Sequence, residues 1–369
     1  MKKVLPVFLI GVAVLLAVAA SGCGGSASST TAIDNAIHNS SNVKSEHVDF
    51  NVALGVNGDL STVEPTLKGL LPLNLTIAGG TDIDMKDQSN PKAQGNIKIG
   101  GLDKLFSSIG QAEGSNPQTS MGLGLLSGML SNIDFVLVDN DLYIKVSGNW
   151  YDTGNLSSAA GGLKLPTTGT TVNSSCYQNA AKDTSKFGAE KIFKNIQDMG
   201  NETIDGASTH HYKADINFDS LLTQVANATR DCGNAQAAGG IEAAKSQIGS
   251  VFKTASVEMW IGDDNYFHQA KLDLAMDPSV IAGLAGGTST SSAQGAAALK
   301  AIQSITFNVT VKQSKFNGSF NISKPSGNIQ KLSDVLGGLT GGGGLLGGSS
   351  GTSTGASTSA GDNVLNIGQ

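Results

Sequence analysis

A two-residue alternation of apolar and polar side chains returns along most of this chain and constrains its fold more than any other feature. Val48, Phe50, Val52, Leu54 and Val56 alternate with polar or small residues. Successive side chains on a strand point to opposite faces, so the stretch predicts a strand with one buried face. Leu73, Leu75 and Ile77 repeat the pattern, as do Ile83 with Met85 and Ile97 with Ile99. Phe135 to Val138 and Leu142 to Val146 flank Asp139-Asn140-Asp141, a turn sequence, and predict a hairpin that ends in Trp150-Tyr151. Asn201 to Gly206 reads as a strand into a turn, and Tyr212, Ala214, Ile216 and Phe218 alternate after it. Val257, Met259 and Ile261 share a face, and Leu272, Leu274 and Met276 answer them across Gly262-Asp263-Asp264-Asn265. Ile305, Phe307, Val309 and Val311 are expected to pair by hairpin with Phe320 and Ile322. About ten antiparallel strands follow from this pattern.

Helical spacing interrupts the alternation. Leu102, Leu105, Phe106 and Ile109 lie on one helical face. A helix is expected near Thr184 or Ser185, with Ile192, Ile196 and Met199 as its core stripe. Asp219 is placed to cap a helix carrying Leu221, Leu222 and Val225, and a further helix spans about Gly240 to Phe252. Strands with helices grouped in the middle of the chain predict an α+β fold, a curved antiparallel sheet wrapping central helices.

The first residues carry an address. Lys2 and Lys3 precede an apolar run from Val4 to Ala20, which ends in Ala20-Ser21-Gly22-Cys23. A positive start, a short apolar core and a small-residue cleavage site make a secretory signal. The Cys after Ser-Gly resembles the lipobox of bacterial lipoproteins, with Ala20 in place of the commoner Leu. That resemblance implies that residues 1–22 are removed and that Cys23 is lipidated, anchoring the chain to the outside of the cell membrane. The competing reading is an uncleaved membrane helix, for which the run is near the lower length limit. Residues 23–45 then form a tether, which leads into a short helix around Thr31 to His38, with 46–326 the folded domain and 327–369 a Gly/Ser-rich tail. The formal charge is -6, and losing Lys2 and Lys3 makes the mature chain more acidic. An acidic chain without basic clusters argues against nucleic acid as a partner.

Cys176 and Cys232 remain in an exported chain, where a leftover pair is expected to form a disulfide; two buried free thiols are the alternative. Neither has a His or Cys neighbour at ligand spacing, so no metal is expected there. The Gly-rich tail holds chance matches to a nucleophile elbow (Gly351 to Gly355) and a dinucleotide fingerprint (Gly342 to Gly347), with no strand or helix around them. His210 and His211 are neighbours on a strand and point to opposite faces, so they do not converge on one ligand. His210 is expected inside, beside Tyr212, and His211 outside. Asp82, Asp84 and Asp87 lack the glycine and terminal Glu of a calcium loop and read as a solvated strand face. No catalytic constellation, metal or cofactor is expected.

Several segments together resemble a known family. Asp141 to Lys145 with Asn149-Trp150-Tyr151, Met199 to Gly206, Thr209 to Tyr212 and Val257 to Gly262 are similar, in that order, to segments of the LppX/LprAFG lipoproteins, which share the LolA/LolB fold. The resemblance covers about His47 to Lys324. It implies an open half-barrel around an apolar cavity that holds acyl chains and moves lipids or glycolipids within the envelope, without catalytic residues. Candidate cavity residues are Leu102, Leu105, Phe106, Ile109, Tyr212, Ile216, Val257, Met259, Leu272, Leu274, Phe307 and Val309. The apolar, Gly-punctuated run Met121 to Leu130, with Leu123, Leu125, Leu126 and Met129, would be a lid, with Val280 to Ala285 as its counterpart. Periodicity alone fits a filled core as well as a cavity wall. The alternative function is therefore a non-enzymatic envelope lipoprotein with a closed core, acting as sensor or structural partner.

Overall fold

In a computed structural model of the chain, residues 28–61 except 41, residue 63, 69–112 except 88, residues 124, 127 and 128, 130–155, 176, 187–281 and 300–332 are described. The first element is a helix, α1 (Ser29–Ser40). It leads into β1 (Ser45–Gly58), β2 (Leu73–Asp84) and β3 (Lys92–Gly100). A helix α2 (Leu102–Ala112) follows, then β4 (Asn132–Val138), β5 (Asp141–Val146) and β6 (Asn149–Asn155). The short helix α3 (Ala189–Ile192) opens the second half, with β7 (Phe193–Ile204) and β8 (Ala207–Ile216). Two helices, α4 (Phe218–Asp231) and α5 (Ala235–Val251), precede β9 (Phe252–Gly262), β10 (Phe267–Met276), β11 (Ile302–Ser314) and β12 (Ile329–Lys331).

All strands join one 12-stranded sheet in the order β12-β6-β5-β4-β3-β2-β1-β11-β10-β9-β8-β7. The sheet is curved and unclosed, with β12 and β7 as its edges. Its neighbours are antiparallel except β12, which runs parallel to β6. The register places Val52 opposite Val309 and Ile77, Val309 opposite Leu272, and Leu272 opposite Val257. One face is thus apolar from strand to strand. The other carries polar or small residues such as Asn51, Asn74, Thr306 and Asn308 in the same ladders. That is the pattern of an antiparallel sheet with a single buried face.

Among the described residues, the helices of the main core lie over β7 to β11 and the edge of β1. Ile33 and Ala36 of α1, Ile192 of α3, and Leu221 and Val225 of α4 are buried in one cluster with Tyr212, Met259, Leu274 and Val309. Val52 of β1 is the outermost strand residue packed against it, and no residue of β2 to β6 belongs to it. A second, smaller core lies on the reverse face, where Ile322 packs with Val136, Val138 and Tyr143 beside Trp150 and Phe320.

Five expectations change. The helix predicted through Ile192, Ile196 and Met199 ends at Ile192; the chain continues as the edge strand β7, and Met199 is 51% exposed. Its i, i+4, i+7 spacing was satisfied by a strand irregular enough to mimic it, with register shifts between Lys194 and Gln197 and between Asp198 and Gly200. Phe320 and Ile322 form no hairpin with β11; they cross the reverse face and pack on the β4–β5 side, because β11 is already paired on both edges by β1 and β10. Trp150-Tyr151 begins a strand of its own, β6, after a turn at Ser147 and Gly148. Asn217, rather than Asp219, caps α4, its side chain accepting from the Ser220 N–H. Last, the short helix expected around Thr31 to His38 forms as α1 but belongs to the folded unit, ahead of residue 46: Ile33, Ala36 and Ile37 are core residues.

Candidate apolar binding site

The part of the apolar face that lies beyond the helices spans β1 to β6. Leu54 faces Leu75, Ile77 faces Ile99, Ile97 faces Ile133, and Phe135 faces Ile144 across successive ladders. These side chains are half-buried rather than packed away, and Ile77 is 41% exposed. None carries a charge. The Phe50 ring lies over Gly79, where an added Cβ would meet the ring at 3.0 Å and the Asn96 carbonyl at 2.0 Å. Glycine there lets an aromatic ring lie close to the sheet and keeps the face shallow.

One helix stands at the rim of this face. Gly101 turns β3 into α2 with φ +85°, and a Cβ at this position would meet the Asn74 carbonyl at 2.0 Å. A glycine is thus required where the helix leaves the sheet. Leu102, Leu105 and Phe106 of α2 are half-buried, and the helix contacts β2. The helical spacing expected for these three residues holds, and α2 sits next to the β2 end of the face. Ile109 shares the α2 backbone, but its side chain lies outside the described residues, as do Cys23, Leu123, Leu125, Leu126 and Met129.

Tyr212, Ile216, Val257, Met259, Leu272, Leu274 and Val309 are in a different place. All are buried within the main core under α1, α3 and α4, and Phe307 packs against that cluster. They are buried in one cluster with the helices, unlike the half-buried side chains of β1 to β6. The residues that do line the open face, among them Phe50, Leu75, Ile77, Ile97, Ile133 and Ile144, were read as strands and passed over as a site. The available signal was the position of the helices. The long helices α4 and α5 lie between β8 and β9 in sequence, whereas α2 and helical residues around Leu130 lie between β3 and β4.

The histidine pair sits on opposite faces as expected, but its exposure is reversed. His210 is exposed and His211 is 7% exposed. His211 stacks on Trp260 with ring centroids 4.2 Å apart; Nδ1 lies 2.8 Å from Glu202 and Nε2 lies 3.2 Å from Glu258. The Trp260 indole N–H donates to the other Glu202 oxygen at 2.7 Å. The reverse face of β8 is therefore covered too, which a simple in-out alternation does not foresee. Asp82 bonds His47 at 2.6 Å and Gln94 at 3.1 Å, and Asp84 lies near Lys86.

The Trp260 N–H, then His211, hold the Glu202 carboxyl below the usual glutamate range. A depressed folded-state value gives stability that is present above the unfolded value of about 4.3 and is lost as pH falls through the folded value. Glu202→Gln should flatten that acid loss, read from urea midpoints between pH 6 and pH 3. Equal acid slopes for the variant and the natural chain would contradict this role.

Cys176 and Cys232 are bridged, with Cα atoms 5.7 Å apart. Cys232 is the C-cap of α4. The bridge thereby fixes one point of the β6–α3 connection to the helical side of the half-barrel.

No family model matches the sequence, and no curated protein matches it either. Solved structures do. The crystal structure of Mycobacterium tuberculosis lipoprotein LppX is 14% identical and covers 77% of this chain and 91% of its own, with TM-score 0.30. That of LprF from Mycobacterium bovis is 15% identical and covers 77% and 90%, with TM-score 0.31. A DUF1329 family protein from Desulfovibrio piger is 8% identical and covers 76% and 88%, with TM-score 0.18. The first two carry the names of the lipoproteins that the sequence motifs resemble.

Proposed function

We propose that this chain is a membrane-anchored lipoprotein that holds the acyl chains of a lipid or glycolipid on its open apolar face and carries them within the cell envelope. The observation that carries this reading is the mostly apolar, half-buried face of β1 to β6, with Ile77 41% exposed; Glu46, on the same face at the start of β1, has its carboxyl bonded by Gln313. Soluble proteins seldom leave a contiguous apolar face without an occupant. An acyl chain suits it, because such a ligand asks only for apolar contact and offers nothing for a polar group to satisfy. The lipobox assigns the anchor to Cys23, with two acyl chains giving stable attachment where one gives marginal binding. Nothing in the arrangement calls for a nucleophile or a proton relay, and the reading is of a carrier rather than an enzyme.

Ile77→Asp tests the site. Ile77 is not part of either packed core, so the variant should keep its circular dichroism spectrum. Its co-purifying lipid, measured by organic extraction, should fall about tenfold or more, since a carboxylate against acyl chains costs more than the ~1.4 kcal/mol that tenfold represents. Asn51→Asp, on the polar face, should retain its lipid. A folded Ile77→Asp variant with unchanged lipid content would overturn the placement.

A further inference from the structure

The open face changes in chemistry along its strands. We propose that Glu46, Gln313 and Thr81 form a head-group subsite at one end of it, which takes a ligand that presents hydroxyl groups and no phosphate. This rests on the lipid-holding reading above and adds the orientation of the ligand and the class of its head group.

The strand register sets the three residues together. Strand β11 borders the open face beside β1. On the apolar side, Gln313, Val48, Thr81 and Gly95 share one cross-strand row, and Glu46, Ile83 and Ala93 share the next. On β11, β1, β2 and β3, the rows from Phe50 to Val56 hold apolar side chains and Gly79. Those rows extend about 20 Å along the strands. They end beside Gly101, where α2 leaves the sheet. The acyl chains of one leaflet span about 15 Å, half of the bilayer's hydrocarbon core. Acyl chains laid along the strands with their ends toward α2 therefore bring the head group to Glu46. The reverse orientation would set hydrocarbon against a carboxyl and a polar head group against apolar rows, and both cost free energy.

The hydrogen-bonding capacity of the three groups selects the head group. Glu46 is half-buried, and burial raises its carboxyl above the usual glutamate range against the opposing Gln313 bond. Among the described residues no cation pairs with it. A carboxyl taken from water without a cation needs hydrogen bonds in its place. Gln313 supplies one, its Nε2 donating to Glu46 Oε2 at 3.0 Å. Thr81 donates its hydroxyl to the Gln94 carbonyl at 3.2 Å, so what it offers a ligand is a lone pair. Glu46 Oε1, Gln313 Oε1 and Thr81 Oγ1 then form a set of acceptors. Gln313 and Thr81 stand diagonal to Glu46 across β11 and β2, within reach of one head group. Hydroxyl groups donate to such a set. An ionised phosphate brings acceptors to acceptors and a negative charge to a carboxyl.

The test uses the full chain in mild detergent, stripped of co-purified lipid. Two probes with the same acyl chains, dipalmitoylglycerol and dipalmitoyl phosphatidic acid, each compete with a fluorescent pyrenyl alkane that has no head group. The natural chain should prefer the diacylglycerol by about tenfold or more. Glu46→Gln should bring the two probes within about threefold of each other, while the pyrenyl alkane binds as before. Thr81→Val keeps the shape of the side chain, removes one acceptor, and should lower the preference in the same direction. Equal affinity for the two probes, tighter binding of phosphatidic acid, binding of the alkane alone, or a preference that survives Glu46→Gln overturns the subsite and leaves the lipid-holding reading in place. A chain that binds neither probe nor the alkane overturns both.

Discussion

Leu274→Ala should lower the stability of this protein by about 2–5 kcal/mol, the range for emptying a well-packed leucine site. Leu274 is 4% exposed and stands opposite Phe307 on β11 and Ala255 on β9. It belongs to the cluster that also buries residues of α1, α3 and α4. A urea midpoint shift with unchanged slope would report this loss directly. The same truncation at Ile77 removes a side chain already 41% exposed and should cost much less. The contrast between the two positions separates the filled half of the sheet from the open half. Comparable costs at Leu274 and Ile77 would mean that the apolar face is one uniform core, and the site assignment would fall.

Removing the disulfide should have an effect of similar size through the unfolded chain. Cys176 and Cys232 are 56 residues apart, and closing a loop of that length stabilises by about 4 kcal/mol in the chain-entropy account. The double variant Cys176→Ser, Cys232→Ser avoids a stray thiol. It should unfold at a markedly lower urea concentration than the oxidised chain, and adding reductant should then shift the natural chain toward it while leaving the variant unmoved. A variant as stable as the natural chain would show that the bridge constrains nothing the fold does not already hold.

The sequence made the sheet legible wherever one face is apolar and the other polar. β1, β3, β4, β5, β8 to β10 and β11 follow from their alternation, because a two-residue period admits one register for the buried set. The Asp139-Asn140 turn was equally clear, since both residues adopt positive φ, as a tight hairpin demands. Failures came where a local pattern had two physical solutions. Ile192, Ile196 and Met199 fit a helical stripe, yet a bulged edge strand satisfies the same spacing when only its ends need burial. Phe320 and Ile322 alternate like a strand, but both edges of β11 were already taken, and the reverse face of β4 and β5 offered apolar area instead. His211 reads as exposed because Trp260, whose ring covers it, comes from a strand distant in sequence, and alternation alone does not show that Glu202 of its own hairpin turns toward it.

The site was half legible for a similar reason. Leu102, Leu105 and Phe106 were placed at the rim by their helical spacing next to a strand end. Ile109, Leu123, Leu125, Leu126 and Met129 lie outside the described side chains, and the other candidates are strand residues from the second half of the chain, where α3, α4 and α5 also lie. Alternation gives the identical signature for Leu274 under a helix and Ile77 beside an open face. What distinguishes them is which helix lands on which strand, a tertiary fact; the short helix around Thr31 to His38 is legible, but not that its Ile33 and Ala36 enter the main core.

Native mass spectrometry of the chain, purified from membranes in mild detergent, addresses the central claim most directly. The account predicts a population heavier than the acylated chain by the mass of a lipid, which activation in the gas phase releases and Ile77→Asp lacks. A spectrum holding only the acylated chain, from protein that is folded and bridged between Cys176 and Cys232, would contradict it.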